Sequence, residues 1–247
     1  MNIKVQMQLG ANANKISLPD LVLGSASFDA VHTWAGSYDV LNLSDHFAAY
    51  HTNARSLLLS HAVAPPVGYF KPLKHKLQSL EINGNFGESL PAIYFLQEYS
   101  LTAGDIMHLV PPAGAHSKSP DYLVRLGHSL ASVITSNKLS TGLQLTSQPL
   151  PDWLPVECKS TSGNVSSSWK RALSQIFQFW FAERATNALT PGFAMVSIFD
   201  HGTAVPTLCW RLIVPKQTTA AGAIQLALNS AKDVKTARTN IMPLLDI

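Results

Sequence analysis

Charge is scarce in this chain. Asp, Glu, Lys and Arg make up 13% of its 247 residues, against 46% hydrophobic ones. So little charge beside so much apolar surface excludes a disordered protein and supports a folded one with a sizeable core. Cysteine is scarcer still: Cys158 and Cys209 stand alone, each inside an apolar run. Two are too few for a disulfide framework and read as reduced core residues of an intracellular protein. Long apolar runs are missing as well. Ile176–Ala182 is interrupted by Gln178 and followed by Glu183 and Arg184, far short of the ~20 residues a spanning helix needs. The start, Met1–Gln8, alternates polar and apolar residues and lacks the apolar core of a signal peptide. The expectation is a soluble, cytoplasmic protein with no membrane partner. Gly-x-Ser-x-Gly, Gly-x-x-x-x-Gly-Lys-Ser/Thr and His-Glu-x-x-His are all absent, which removes any foothold for a serine esterase, a P-loop NTPase or a zincin. The net charge of +3 is mildly basic and compatible with nucleic acid.

Residues 1 to about 80 offer short apolar segments separated by Gly, Ser and Asn, and read as an N-terminal extension or subdomain serving DNA binding or dimerisation. His46, His51 and His61 form no HxxxH or HxH pair and read as satisfied or exposed side chains. The densest basic cluster, Lys71, Lys74 and Lys76 beside Tyr69 and Phe70, is either a phosphate-contacting patch with a stacking ring or a solvated turn. From residue 81 the pattern sharpens into a core that runs to 247. Gly84–Glu98 reads as a loop feeding a helix, with Pro91 in its first turn and Glu88 at its start. Ile106–Val110 and Asp121–Leu126 read as two strands of a hairpin. Lys118 lies in their connection, and residues 128–150 read as an insertion.

The stretch Trp153–Ser160 is the most informative. Leu154, Val156 and Cys158 are apolar while Glu157 and Lys159 are charged, and strand side chains alternate, so both charges share one face. An acid and a base there are costly to bury unless paired or bound to a metal. Exposed on an edge strand they would count for little. The spacing then predicts a helix over 165–187, capped by Ser166, Ser167 or Ser168, with apolar residues at 169, 172, 173, 176, 177 and 180. Strands over 193–199 and 207–214 follow, and a last helix over 221–239.

Pro120-Asp121 followed by Glu157-Cys158-Lys159 resembles the signature of the PD-(D/E)XK nucleases. The order helix, strand, strand, strand, helix, strand between residues 87 and 199 is also similar to the core order of that superfamily. The resemblance implies an α/β (α+β) protein with a restriction-endonuclease-like core, a central mixed sheet flanked by helices and an N-terminal extension. It covers under half of the chain. The 36-residue interval from Asp121 to Glu157 requires the 128–150 insertion, and Gln175 with Phe179 only partly echoes the Gln-x-x-x-Tyr pattern of RecB-like members.

By the same resemblance, Asp121, Glu157, the backbone carbonyl of Cys158 and Glu88 would hold Mg²⁺, for which Mn²⁺ can substitute. Lys159 would orient or deprotonate the attacking water. Hard oxygen donors suit Mg²⁺, which keeps several of its waters. The implied activity is metal-dependent endonucleolytic hydrolysis of DNA, in a bacterial or phage restriction, defence or repair enzyme that works as a homodimer. Lys71, Lys74, Lys76, Lys118, Lys170 and Gln175 are the candidates for DNA contact. The competing expectation is a catalytically inactive module of the same fold that binds nucleic acid or a protein partner.

Overall fold

Period-two alternation in β-branched and aromatic stretches builds the centre of the protein. The computed structural model describes residues 2–11, 14–22, 90–92, 94–95, 98–99, 101, 105–108, 120–125, 153–161, 163–185, 192–200 and 205–247. The strands are β1 (Asn2–Leu9), β2 (Ile16–Val22), β3 (Ile106–His108), β4 (Tyr122–Arg125), β5 (Trp153–Thr161), β6 (Ala194–Asp200), β7 (Thr207–Pro215) and β8 (Leu245–Asp246). They form a mixed open sheet in the order β2-β1-β7-β6-β5-β4-β3, with β8 paired to the end of β7. β3, β4 and β5 form an antiparallel meander, whereas β5 and β6 are parallel. A parallel pair needs a crossover, and the helix α1 (Val165–Ala182) supplies it. β7 then runs antiparallel to β6 and parallel to β1, so strands from both ends of the chain meet in one sheet.

Helices cover one face. Ala172, Leu173, Ile176 and Phe177 of α1 pack with Ala194, Val196 and Ile198 of β6 and Ile213 of β7. Completing this layer are α2 (Ala223–Asn229), through Ile224 and Leu228, and α3 (Val234–Ile241), through Ala237 and Ile241. On the other face lie helical residues between 90 and 98, whose Tyr94 and Phe95 rings sit 4.9 Å from the Trp210 ring, edge-on and stacked respectively. Trp210 is buried, and its indole N–H donates to Ser197 Oγ across the β6–β7 ladder at 3.0 Å. The Tyr94 hydroxyl donates to the Pro19 carbonyl at 2.8 Å, which ties β2 to this layer. Burial pushes the Tyr94 and Tyr99 hydroxyls well above the usual tyrosine range, so both stay neutral.

The central mixed sheet flanked by helices agrees with the fold class expected from the sequence. Three local expectations need correction. The cap of α1 is Asn164, whose side chain accepts from Ser167 N–H at 2.8 Å; Ser166, Ser167 and Ser168 lie inside the first turn. The reason is upstream: Thr161 Oγ1 accepts from the N–H groups of Gly163 and Asn164, which turns the chain into the helix before the serines arrive. The single helix expected over 221–239 is two, because Asp233 adopts an extended backbone and caps α3 by accepting from Thr236 N–H at 2.7 Å. The helix expected over 165–187 ends at Ala182, with one 3₁₀ turn over Glu183–Ala185.

Candidate active site

Three of the motif side chains come together on the helix-covered face. β5 is an interior strand, bonded to β4 on one side and β6 on the other. The solvent-facing edge pair is therefore not what Glu157 and Lys159 form. Glu157 pairs in register with Val196 and Lys159 with Ile198, and paired residues of a ladder point to the same face. Both charges thus lie on the side of β6 that α1 covers, while Val156 and Cys158 face the aromatic layer. Glu157 is fully buried, and the Lys159 side chain is 18% exposed.

Pairing and local sequence explain why a carboxylate survives there. The Lys159 ammonium donates to Glu157 Oε1 and, at 3.0 Å, to the carbonyl of Cys158. A buried carboxylate is tolerated when a cation compensates it. The second carboxylate oxygen, Oε2, is buried with no hydrogen-bond partner among the described residues. An ionised oxygen left bare in a water-poor site costs several times a typical hydrogen bond, so its environment calls for one more cationic or donating group.

Asp121 stands immediately before β4. Tyr122 pairs with Val156 in an antiparallel ladder, so the next position along brings Asp121 opposite Glu157. Its Oδ2 accepts from the Cys158 N–H at 2.6 Å, a charge-assisted bond across 37 residues of sequence. Pro120, buried in front of it, lacks an N–H to place in the ladder. Asp121, Glu157, Lys159 and the Cys158 backbone therefore form one cluster, assembled by the β4–β5 register.

The remaining sequence candidates divide. Glu88, Lys71, Lys74, Lys76 and Lys118 lie outside the described residues, as do the 128–150 insertion and the three N-terminal histidines. Lys170 is exposed and Gln175 half-buried on α1. Among the described residues, no group of three or more His, Cys, Asp and Glu side chains is placed to hold a metal ion. The donors on hand are thus two carboxylates and a carbonyl, and the fit rests on the bare, buried Glu157 Oε2. Cys158 is buried and Cys209 half-buried, and both are free thiols, as expected. No helix among the described residues is long and apolar enough to cross a membrane.

Arg211 carried no motif, yet it is a half-buried charge in the apolar run Leu208–Val214, and that interruption was its only sequence signal. It lies on the rung of Glu157: Glu157 pairs with Val196, and Val196 with Arg211.

Compared with known proteins, the chain matches no family model, no curated protein and no solved structure. What stands is an α/β protein with a mixed open sheet and an acid–acid–lysine cluster buried beside its crossover helix.

Proposed function

We propose that this protein is a metal-dependent nuclease of restriction-endonuclease-like fold that hydrolyses phosphodiester bonds in DNA. One observation carries the reading. Asp121 and Glu157, 36 residues apart in sequence, are brought side by side by the β4–β5 ladder, with the Lys159 ammonium on the same cluster and one carboxylate oxygen left bare. The antiparallel meander β3-β4-β5 followed by a parallel crossover to β6 supports it too, because that is the core order the resemblance implies.

The residues fit a small hard cation: Asp121, Glu157 and the Cys158 carbonyl would hold Mg²⁺ or Mn²⁺. When bound, the cation would supply charge for the phosphate oxygens and lower the pKa of a water. Lys159 has two duties on this reading. Its ammonium balances Glu157 while the chain folds, and it then faces the attacking water or the phosphate. Burial of Glu157 keeps bulk water from competing for those groups. The Asp121–Cys158 hydrogen bond fixes the carboxylate against β5, so the two acids cannot separate without breaking the ladder.

A catalytically inactive module of the same fold remains the second reading. It is favoured by Lys159 hydrogen-bonding the very carbonyl and carboxylate that would hold a cation. Plasmid cleavage with Mg²⁺, Mn²⁺ and EDTA decides between them. Wild type should nick supercoiled DNA with either metal and not with EDTA. Asp121→Asn keeps an acceptor for the Cys158 N–H, and Lys159→Arg keeps a cation beside Glu157 but cannot release a proton. Each should fold normally and cut on the order of 10²–10⁴ times more slowly. Equal activity of the folded Lys159→Arg protein, or no cleavage by wild type with either metal, would refute the nuclease.

A further inference from the structure

On the helix-covered face, β1 and β7 border a second feature, a mainly apolar cleft that holds a charged group. The cleft, its mouth open to solvent, is lined by Gln8, Lys15, Cys209 and Arg211 together with the apolar Val196, Ile198 and Trp169. Arg211 is one of its lining residues. The guanidinium lies 4.4 Å from the centre of the Trp169 ring, and its Nε donates to Gln8 Oε1 at 3.1 Å. No carboxylate of a described residue forms an ion pair with it. Asp200 acts electrostatically on Cys209 and Asp246 on Arg211. Burial pulls the Arg211 pKa below its ordinary value, and Cys209 and Asp246 offset that loss of water only in part. The exposed Lys15 adds a second positive charge close enough to act on the Cys209 thiol.

A half-buried guanidinium over an indole, making no hydrogen bond besides that to Gln8 among the described residues, suits a phosphate. The half-buried indole beside it supplies a stacking surface for a base. Arg211 shares a rung with Glu157 two strands away, roughly 10 Å at a strand spacing of ~4.8 Å. Val196 lies between them in the cluster under α1. With one phosphate per ~3.4 Å of axis on each strand, that separation is a few nucleotides. We propose that the Arg211–Trp169 cleft is a phosphate-binding subsite for a nucleotide flanking the one cut at Asp121, Glu157 and Lys159. Arg211 and Lys15 hold the phosphate, and the base rests on Trp169. This deepens the nuclease reading and rests on it for the identity of the polynucleotide.

Binding in EDTA separates the two, because nothing is cut. A fluorescent single-stranded oligonucleotide is titrated by anisotropy, and inorganic phosphate and a 5′-mononucleotide are titrated by tryptophan fluorescence, with Trp169→Phe identifying the reporting ring. Against the oligonucleotide, Arg211→Met should weaken binding by about tenfold and reduce the slope of log affinity on log salt by about one. Lys15→Ala should weaken it by about threefold, and Arg211→Lys should fall between wild type and Arg211→Met. Should Arg211→Met not fold, as judged by circular dichroism, Arg211→Lys and Lys15→Ala carry the test by themselves. Oligonucleotide affinity and salt slope unchanged in the folded Arg211 variants would overturn the subsite, whatever the cleavage result. Wild type that cuts no DNA but loses mononucleotide or phosphate binding on Arg211→Met would keep the phosphate site and refute only its link to cleavage.

Discussion

The two faces of one sheet are built from alternate residues of the same strands and solve opposite problems. Along β7, Leu208, Trp210 and Leu212 turn to the aromatic layer, while Cys209 and Arg211 turn toward α1 and the cleft. Along β5, Leu154, Val156 and Cys158 belong to the first face, and Glu157 and Lys159 to the second. The aromatic face is held mainly by packing: its large rings are buried, and the indole N–H of Trp210 and the hydroxyl of Tyr94 each have an acceptor, although Ser160 Oγ has no partner among the described residues. The helix-covered face keeps a buried carboxylate with a bare oxygen and a half-buried guanidinium that forms no ion pair among the described residues. Folding alone gives no reason for these, since apolar residues of similar size would pack there at lower cost. Charge kept where packing would be cheaper is the physical mark of a site.

The contrast can be broken most forcefully on the packed face. Trp210→Ala removes a ring that three aromatic side chains surround, and should lower unfolding free energy by about 3–5 kcal/mol in a urea titration. Almost as large is the effect of removing one partner on the polar face. Lys159→Met leaves Glu157 buried and uncompensated, at a cost of about 3 kcal/mol, somewhat reduced because the lysine is partly exposed. Adding Glu157→Leu to Lys159→Met should then return stability to the wild-type level or above, with cleavage still absent. If the double variant is less stable than Lys159→Met alone, the pair is structural and the contrast between the faces fails.

The smallest effect lies at the exposed cap of α3. The Thr236 N–H bonded to Asp233 favours the carboxylate and holds its pKa below the ordinary value. A depressed folded pKa contributes stability above the unfolded value of ~3.9 and loses it as pH falls through the folded one. Asp233→Ala should therefore lower the thermal midpoint slightly at neutral pH and leave it unchanged in strong acid. An equal loss at both ends of the pH range would assign the effect to something other than the charged cap.

The strands at 106–108, 122–125, 153–161, 194–200 and 207–215 were legible because period-two alternation and short apolar runs are local signals. So was the sharing of one face by Glu157 and Lys159. The break between α2 and α3 was harder to see, since Asp233 between two lysines reads equally as a helical surface residue. Strands β1 and β2, from the stretch set apart as residues 1–80, are hydrogen-bonded to one another, and β1 to β7 as well. No local pattern announces a partner two hundred residues away.

The sequence by itself determined the elements and the alternation of polar with apolar side chains, because φ/ψ preference and side-chain period act over a few residues. Only the tertiary structure decided that β5 is an interior strand, that Asp121 meets the Cys158 N–H, and that Arg211 lies on the rung of Glu157. Those facts depend on strand order and register, which are set when distant segments compete to bury the same apolar surface.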